Sequence, residues 1–153
     1  MEIAINILAL LFGFTLMEGV AWFTHKYIMH GFLWSWHKSH HEPRHGMFEK
    51  NDLFALVFGS IAAIFIIVGS YNLDWRFFLG IGISLYGLAY FLVHDVFVHQ
   101  RIKLFRNTRS TYFSAMRFAH KIHHKNTGKH GAEAFGFLFV SMKYINKFKK
   151  NKA

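Results

Sequence analysis

Three long apolar runs divide this chain. Residues 3–23 carry a single charged side chain, Glu18, and residues 53–71 and 77–93 carry none. A helix rises 1.5 Å per residue, so the second run reaches roughly 28 Å, close to the hydrocarbon thickness of a bilayer. Each run is therefore expected to be a membrane-spanning helix. The first is expected to be retained rather than cleaved as a signal, because Met1 and Glu2 offer no basic leader and no small-residue cleavage pattern follows. Residues 72–76 are too few for more than a turn between the second and third runs.

Polar, histidine-rich segments fill the remainder, and their periodicity predicts shorter helices. One helix ends just after His41, ahead of Pro43, with Arg44, His45 and Gly46 as the turn. Another starts near Ser110, where Phe113, Met116, His120 and His123 form one stripe, and stops at residues 126–128. The tail beyond Phe135 mixes apolar with basic side chains, and about residues 140–153 read as an interfacial segment attracted to anionic lipid. The expected fold is all-α: one membrane-embedded domain over 1–153, with three spans and a helical cap. Gly80, Gly82 and Gly87 on the third span would let helices approach closely.

Charge orients this arrangement. Of the 18 Lys and Arg, only Arg76 falls in the turn between the second and third runs. The positive-inside tendency places the other segments, and hence the cap, in the cytoplasm. A net charge of +10 raises nucleic acid as a partner. The apolar runs and the lack of a readable recognition helix argue against it, so no nucleic-acid partner is expected. The absence of cysteine excludes disulfides, thiolate metal sites and iron–sulfur clusters, so any electrons used must come from outside the chain.

Ten of the 12 histidines fall into two copies of one pattern. His25 and His30 form an HxxxxH box, followed by His37, His40 and His41 as HxxHH. His94 and His99 repeat the first box, and His120, His123 and His124 the second. Imidazole binds metal as a neutral ligand, and five per copy exceed what one tetrahedral zinc uses. Two adjacent metals are therefore expected. Two crossings separate the copies, which brings both to one membrane face. HxxHH places its members on one helical face. HxxxxH sets its pair about 140° apart on a straight α-helix, so its two members should serve different metals unless the helix frays or kinks. Asp95 and Glu18 are the candidate outer acceptors for the imidazole N–H groups, with Glu42, Glu49, Asp52 and Glu133 behind them. His45 and His130 are expected to be ordinary loop residues. Trp34, Trp36, Phe65, Tyr86, Tyr90 and Phe91 are candidates for a substrate channel. A metal transporter is the non-enzymatic alternative, but it should place ligands at mid-bilayer and on both faces.

The order of the four boxes resembles the membrane fatty acid hydroxylase and sterol desaturase superfamily of non-haem di-iron enzymes. The stretches from His25 to Gly31, Trp36 to Pro43 and His94 to Arg101, with 51–53 and 135–138, resemble its bacterial carotene hydroxylases most. That resemblance implies hydroxylation of β-carotene at the 3 and 3′ ring carbons, giving β-cryptoxanthin and then zeaxanthin. It also implies two iron ions on the ten histidines, which zinc can replace, together with O2 and electrons from ferredoxin. A carotenoid would enter from the bilayer, and the setting would be the bacterial inner membrane. A fatty acid or sterol hydroxylase or desaturase would share the boxes and differ in its cavity. An acidic electron donor would meet a basic face including Lys26, Lys38, Arg101, Lys103, Arg106, Arg109, Lys121, Lys125 and Lys129.

Overall fold

The computed structural model describes residues 1–43 and 46–150, with the backbone alone at Lys150. The turn expected at Arg44 and His45, and the last residues of the tail, lie outside that range. The described residues are helical or irregular, with no strand among them. Helix α1 (Glu2–Phe23) runs on into a π-helical segment, Thr24–Phe32, and α2 (Trp34–His41) follows. A 3₁₀ turn, Lys50–Asp52, leads into α3 (Leu53–Ser70). Helix α4 (Trp75–Tyr90) continues into a second π-helical segment, Phe91–Val98, and α5 (Thr111–Lys125) and α6 (Met142–Lys150) complete the order.

Among the described residues, three helical stretches are long and apolar enough to cross a membrane, Glu2–Phe32, Lys50–Ser70 and Trp75–Val98, and each contains an 18-residue window of mean hydropathy 2.0, 2.5 and 1.7 respectively. Their large side chains, including Leu8, Leu56 and Ile64, face outward. An apolar exterior of this kind needs lipid to cover it. Helix α4 packs against both α1 and α3. Its contact with α1 depends on bare backbone: a Cβ on Gly82 would stand 2.2 Å from the Leu10 carbonyl. Gly80 meets α3 in the same way, whereas a Cβ on Gly87 would meet nothing, so that glycine takes no part in the approach.

The turn between α3 and α4 is set by Asp74, whose carboxylate caps α4 through the Arg76 N–H at 2.9 Å and pairs with the Arg76 side chain. At the other end of the helices the cap begins. Ser110 caps α5, and Met116, His120 and His123 face inward as the stripe required; Phe113 stays exposed and packs on Phe97. Helix α5 stops at Lys125, and α6 closes over it, Tyr144 packing against Ala115 and Ala119. The chain reverses after the second π segment at Gln100, whose φ of 55° lies in the left-handed region. Its side-chain amide returns N–H bonds to the carbonyls of Phe97 (2.7 Å) and Leu104 (3.2 Å), which holds that conformation.

Candidate metal centre

Both HxxxxH boxes lie where the helix changes pitch. An i→i+5 backbone bond, such as the His99 N–H to the His94 carbonyl at 2.9 Å, brings residues five apart onto one face. His25 and His30 therefore turn inward together, as do His94 and His99. Of the two outcomes expected for HxxxxH, the departure from a straight α-helix is the one found, and each box places both its members in one group. Gly31 (φ −107°, ψ −124°) then breaks the helical path and lets α2 fold back toward the site.

The imidazoles gather in two groups. His25, His30, His37, His41 and His123 form the first; His40, His94, His99 and His120 form the second. Each HxxHH box straddles the pair: α2 sends His37 and His41 to the first group and His40 to the second, and α5 sends His123 to the first and His120 to the second. His124 stacks on His41 at 4.5 Å and lies 4.7 Å from His40. Its Nε2 is buried with no hydrogen-bond partner among the described residues.

The outer ring nitrogens fix the tautomers. His25 Nδ1–H donates to the Phe135 carbonyl (3.0 Å), His30 to Lys129 (2.9 Å), His41 to Asn126 (2.9 Å) and His123 to Glu133 (2.9 Å). His37 donates to Asn51 Oδ1 at 2.7 Å, and His40 to Glu49 Oε2 at 3.1 Å. Carbonyl and carboxylate oxygens only accept, so Nδ1 carries the proton and Nε2 presents a bare lone pair. These lone pairs face one another: His25 and His37 at 3.1 Å, His37 and His41 at 3.1 Å, His30 and His123 at 3.2 Å, His40 and His94 at 3.2 Å. Facing lone pairs repel unless a cation lies between them. Ligands about 2.1 Å from a metal stand about 3.0–3.4 Å from each other, so the spacing fits a metal-filled site.

Burial reinforces that state. Desolvation holds His41 down to about 4 and His123 to about 3, and it pushes His40 and His120 well below the ordinary imidazole value, neighbouring imidazoles adding to the effect in the last two. These four imidazoles are therefore neutral ligands at physiological pH, with no proton for a metal to displace.

Of the two expected outer acceptors, Asp95 lies beside His94, Oδ2 to Nδ1 at 3.5 Å. Glu18 does something else. Its carboxylate accepts the Tyr86 hydroxyl (2.7 Å) and the backbone N–H groups of Phe137, Leu138 and Phe139 (3.2, 3.1 and 3.0 Å). It thus clamps a strap, residues 135–141, from which Phe137 stacks on His25 at 5.1 Å and Phe135 receives its N–H. Asn51 and Phe135 fall in stretches that carry the family resemblance, but nothing in the residue pattern marks them, or the other backbone carbonyls, as acceptors of the outer N–H groups. His130 is exposed, as expected of a loop residue; His45 lies outside the described residues.

A cavity of about 550 Å³ opens between α1, the second π segment, α5 and the strap, and ends at His94 and His120. Trp22, Met116, Ala119, Phe137 and Phe139 give it apolar walls. None of the six aromatics expected to line a channel lines this cavity. Tyr90 instead stacks on His94 (4.6 Å), Tyr86 holds Glu18, and Trp34 lies against His30 and His41.

Bilayer-length helices carrying a helical cap with two buried imidazole groups, beside an apolar cavity, define an integral-membrane histidine-box enzyme. The chain belongs to the fatty acid hydroxylase family, whose sequence model matches residues 10–146. It is 46% identical over 139 residues to the β-carotene hydroxylase of Pseudescherichia vulneris, covering 89% of this chain and 77% of that one. To the β-carotene hydroxylase of Pantoea ananas it is 47% identical over 127 residues, 81% and 71% of the two chains. A chloroplastic β-carotene 3-hydroxylase of Haematococcus lacustris is 38% identical over 143 residues, 90% of this chain and 44% of that one. No solved structure matches. Membership of this family makes the chain an oxygenase.

Proposed function

We propose that this chain hydroxylates β-carotene at the 3 and 3′ ring carbons, using O2 and two iron ions held by the ten box histidines. The observation that carries this reading is the apolar cavity ending at His94 and His120, beside two imidazole groups, in each of which the ring nitrogens converge within 4.8 Å of one another. Iron with O2 supplies oxidising power sufficient for an unactivated C–H bond, which zinc does not. The chain's residues do the rest. Trp22 and Phe139, both exposed at the cavity, offer a greasy entrance from the bilayer for a molecule with no polar handle. Met116, Ala119 and Phe137 position a ring by shape, and the strap held by Glu18 forms one wall of the cavity.

The inner bacterial membrane, with the cap in the cytoplasm, is the setting that the charge asymmetry supports, and an external donor such as ferredoxin would supply electrons. Gathering of all ligands at one end of the spans speaks against transport through the bilayer.

Expression in a bacterium that accumulates β-carotene tests the reading. A substrate with a ring at each end must turn end for end between the two steps, so a mono-hydroxylated pigment should appear first and the diol, zeaxanthin, later. Unchanged carotene with hydroxylated fatty acids would transfer the assignment to a lipid hydroxylase.

A further inference from the structure

The two imidazole groups differ in what stands behind them. In the first, all five outer N–H groups meet neutral oxygens: the four carbonyls and the Asn51 amide. In the second, His40 meets the Glu49 carboxylate (3.1 Å) and His94 the Asp95 carboxylate (3.5 Å). A carboxylate pulls harder on the Nδ1 proton than a carbonyl does, and so makes the opposite nitrogen a stronger donor.

One guanidinium ties these carboxylates together. Arg101 reaches Asp52 at 2.9 Å, Asp95 at 3.3 Å and Glu49 at 3.8 Å, and its backbone N–H bonds the Asp95 carbonyl at 2.8 Å. Asp52 in turn accepts the Glu49 N–H at 3.0 Å. Arg101 was expected on a surface that meets an electron donor, but its side chain is only 17% exposed and points into this network. Three carboxylates this close repel one another, and a planar fork of donors is the group that can hold them all.

We propose that Arg101 is a positioning residue that holds Glu49 and Asp95 against His40 and His94, and so makes the second group the stronger-donating of two unequal metal sites. That group is also the one that faces the cavity, through His94 and His120. The inference rests on the paired-iron reading above.

Purified full-length protein in detergent, loaded anaerobically with ⁵⁷Fe²⁺, separates the two ideas. The wild type should hold two irons per chain and give two quadrupole doublets in its Mössbauer spectrum. In Arg101→Met, affinity at one site should fall about 10–100-fold, so that at limiting iron one doublet is lost and the other stays unchanged. Glu49→Gln, which keeps shape and removes charge, should shift that same doublet, and Arg101→Lys should restore it in part. Asn51→Asp places a charge behind His37 and should move the other doublet. Equal effects on both doublets in Arg101→Met and Glu49→Gln, or no effect on either, would overturn the proposal. A wild type that holds no iron pair would overturn the proposed function and this inference with it.

Discussion

Glu18 and Leu138 stand 120 residues apart in sequence, yet the carboxylate of the first accepts the N–H of the second at 3.1 Å. A carboxylate inside a span is costly unless its lone pairs are filled, and here Tyr86 and three successive backbone N–H groups fill them. The charge is thereby spent on fixing the strap that carries Phe135 and Phe137 to His25. Hydrogen bonds to a charged group contribute about 1.5–3 kcal/mol each. Glu18→Gln should therefore loosen residues 135–141 and lower turnover at least about tenfold, as differential binding energy of that size implies. Faster hydrogen exchange at Phe137, Leu138 and Phe139 checks the mechanism, and unchanged exchange would refute it.

His124 provides a test of ligation. Its Nε2 is buried with no partner among the described residues, beside the rings of His40 and His41. A buried polar atom in that condition is costly unless something binds it. His124→Ala should reduce the metal retained per chain, measured by elemental analysis, while membrane insertion continues. Each of the other nine histidines should behave alike, and near-normal turnover from several such variants would discard the assignment.

Acid should weaken the cap. His41 and His123 titrate near 6.5 in the unfolded chain but only about 4 and about 3 when folded. As pH falls the unfolded chain takes protons first, so stability is full above pH 6.5 and is lost progressively toward those lower values. Melting temperature in detergent should thus be flat from about pH 7 to 8.5 and fall between about pH 6.5 and 4. Competition between protons and metal for Nε2 acts in the same direction. A melting temperature that rises on acidification would contradict the burial argument.

Reduction by an acidic donor should slow as salt is added. Lys103, Arg106, Lys121 and Lys125 are exposed around the cap, whereas Lys38 is engaged with Glu42 at 3.2 Å and Arg101 is turned inward. Steering by exposed charge is screened over about 8–10 Å at physiological ionic strength. Charge reversal at Lys103 and Arg106 should reduce the electron-transfer rate and flatten its salt dependence. A rate indifferent to salt in the unaltered protein would exclude this surface.

The sequence made the large features plain because they repeat a period. The apolar runs matched α1, α3 and α4 closely, and the stripe at Met116, His120 and His123 matched the buried face of α5. What it concealed depended on backbone or on distance. Phe135, Lys129, Asn126 and Glu133 accept imidazole protons through main-chain oxygens, for which side-chain identity says nothing. Glu18 was recognisable as a carboxylate needing partners, but the strap that supplies them arrives more than a hundred residues later. The division of His37, His40 and His41 between two groups follows from where α2 lies, and spacing along one face could not separate them.

The π-helical turns have a consequence for what mutation can do here. A turn closed by an i→i+5 bond contains one residue more than an α-turn, and it is the less stable geometry. Removing Ile28 or Met29 would leave His25 and His30 four apart, still on one side of an ordinary α-helix. Such a shortened protein should melt at a higher temperature and yet bind metal poorly, since narrowing the turn rotates and draws back the His30 ring while ligand distances tolerate only about 0.2 Å. Firmness and reach are opposed at this turn, and the number of residues between the two histidines, more than their identity, sets the balance.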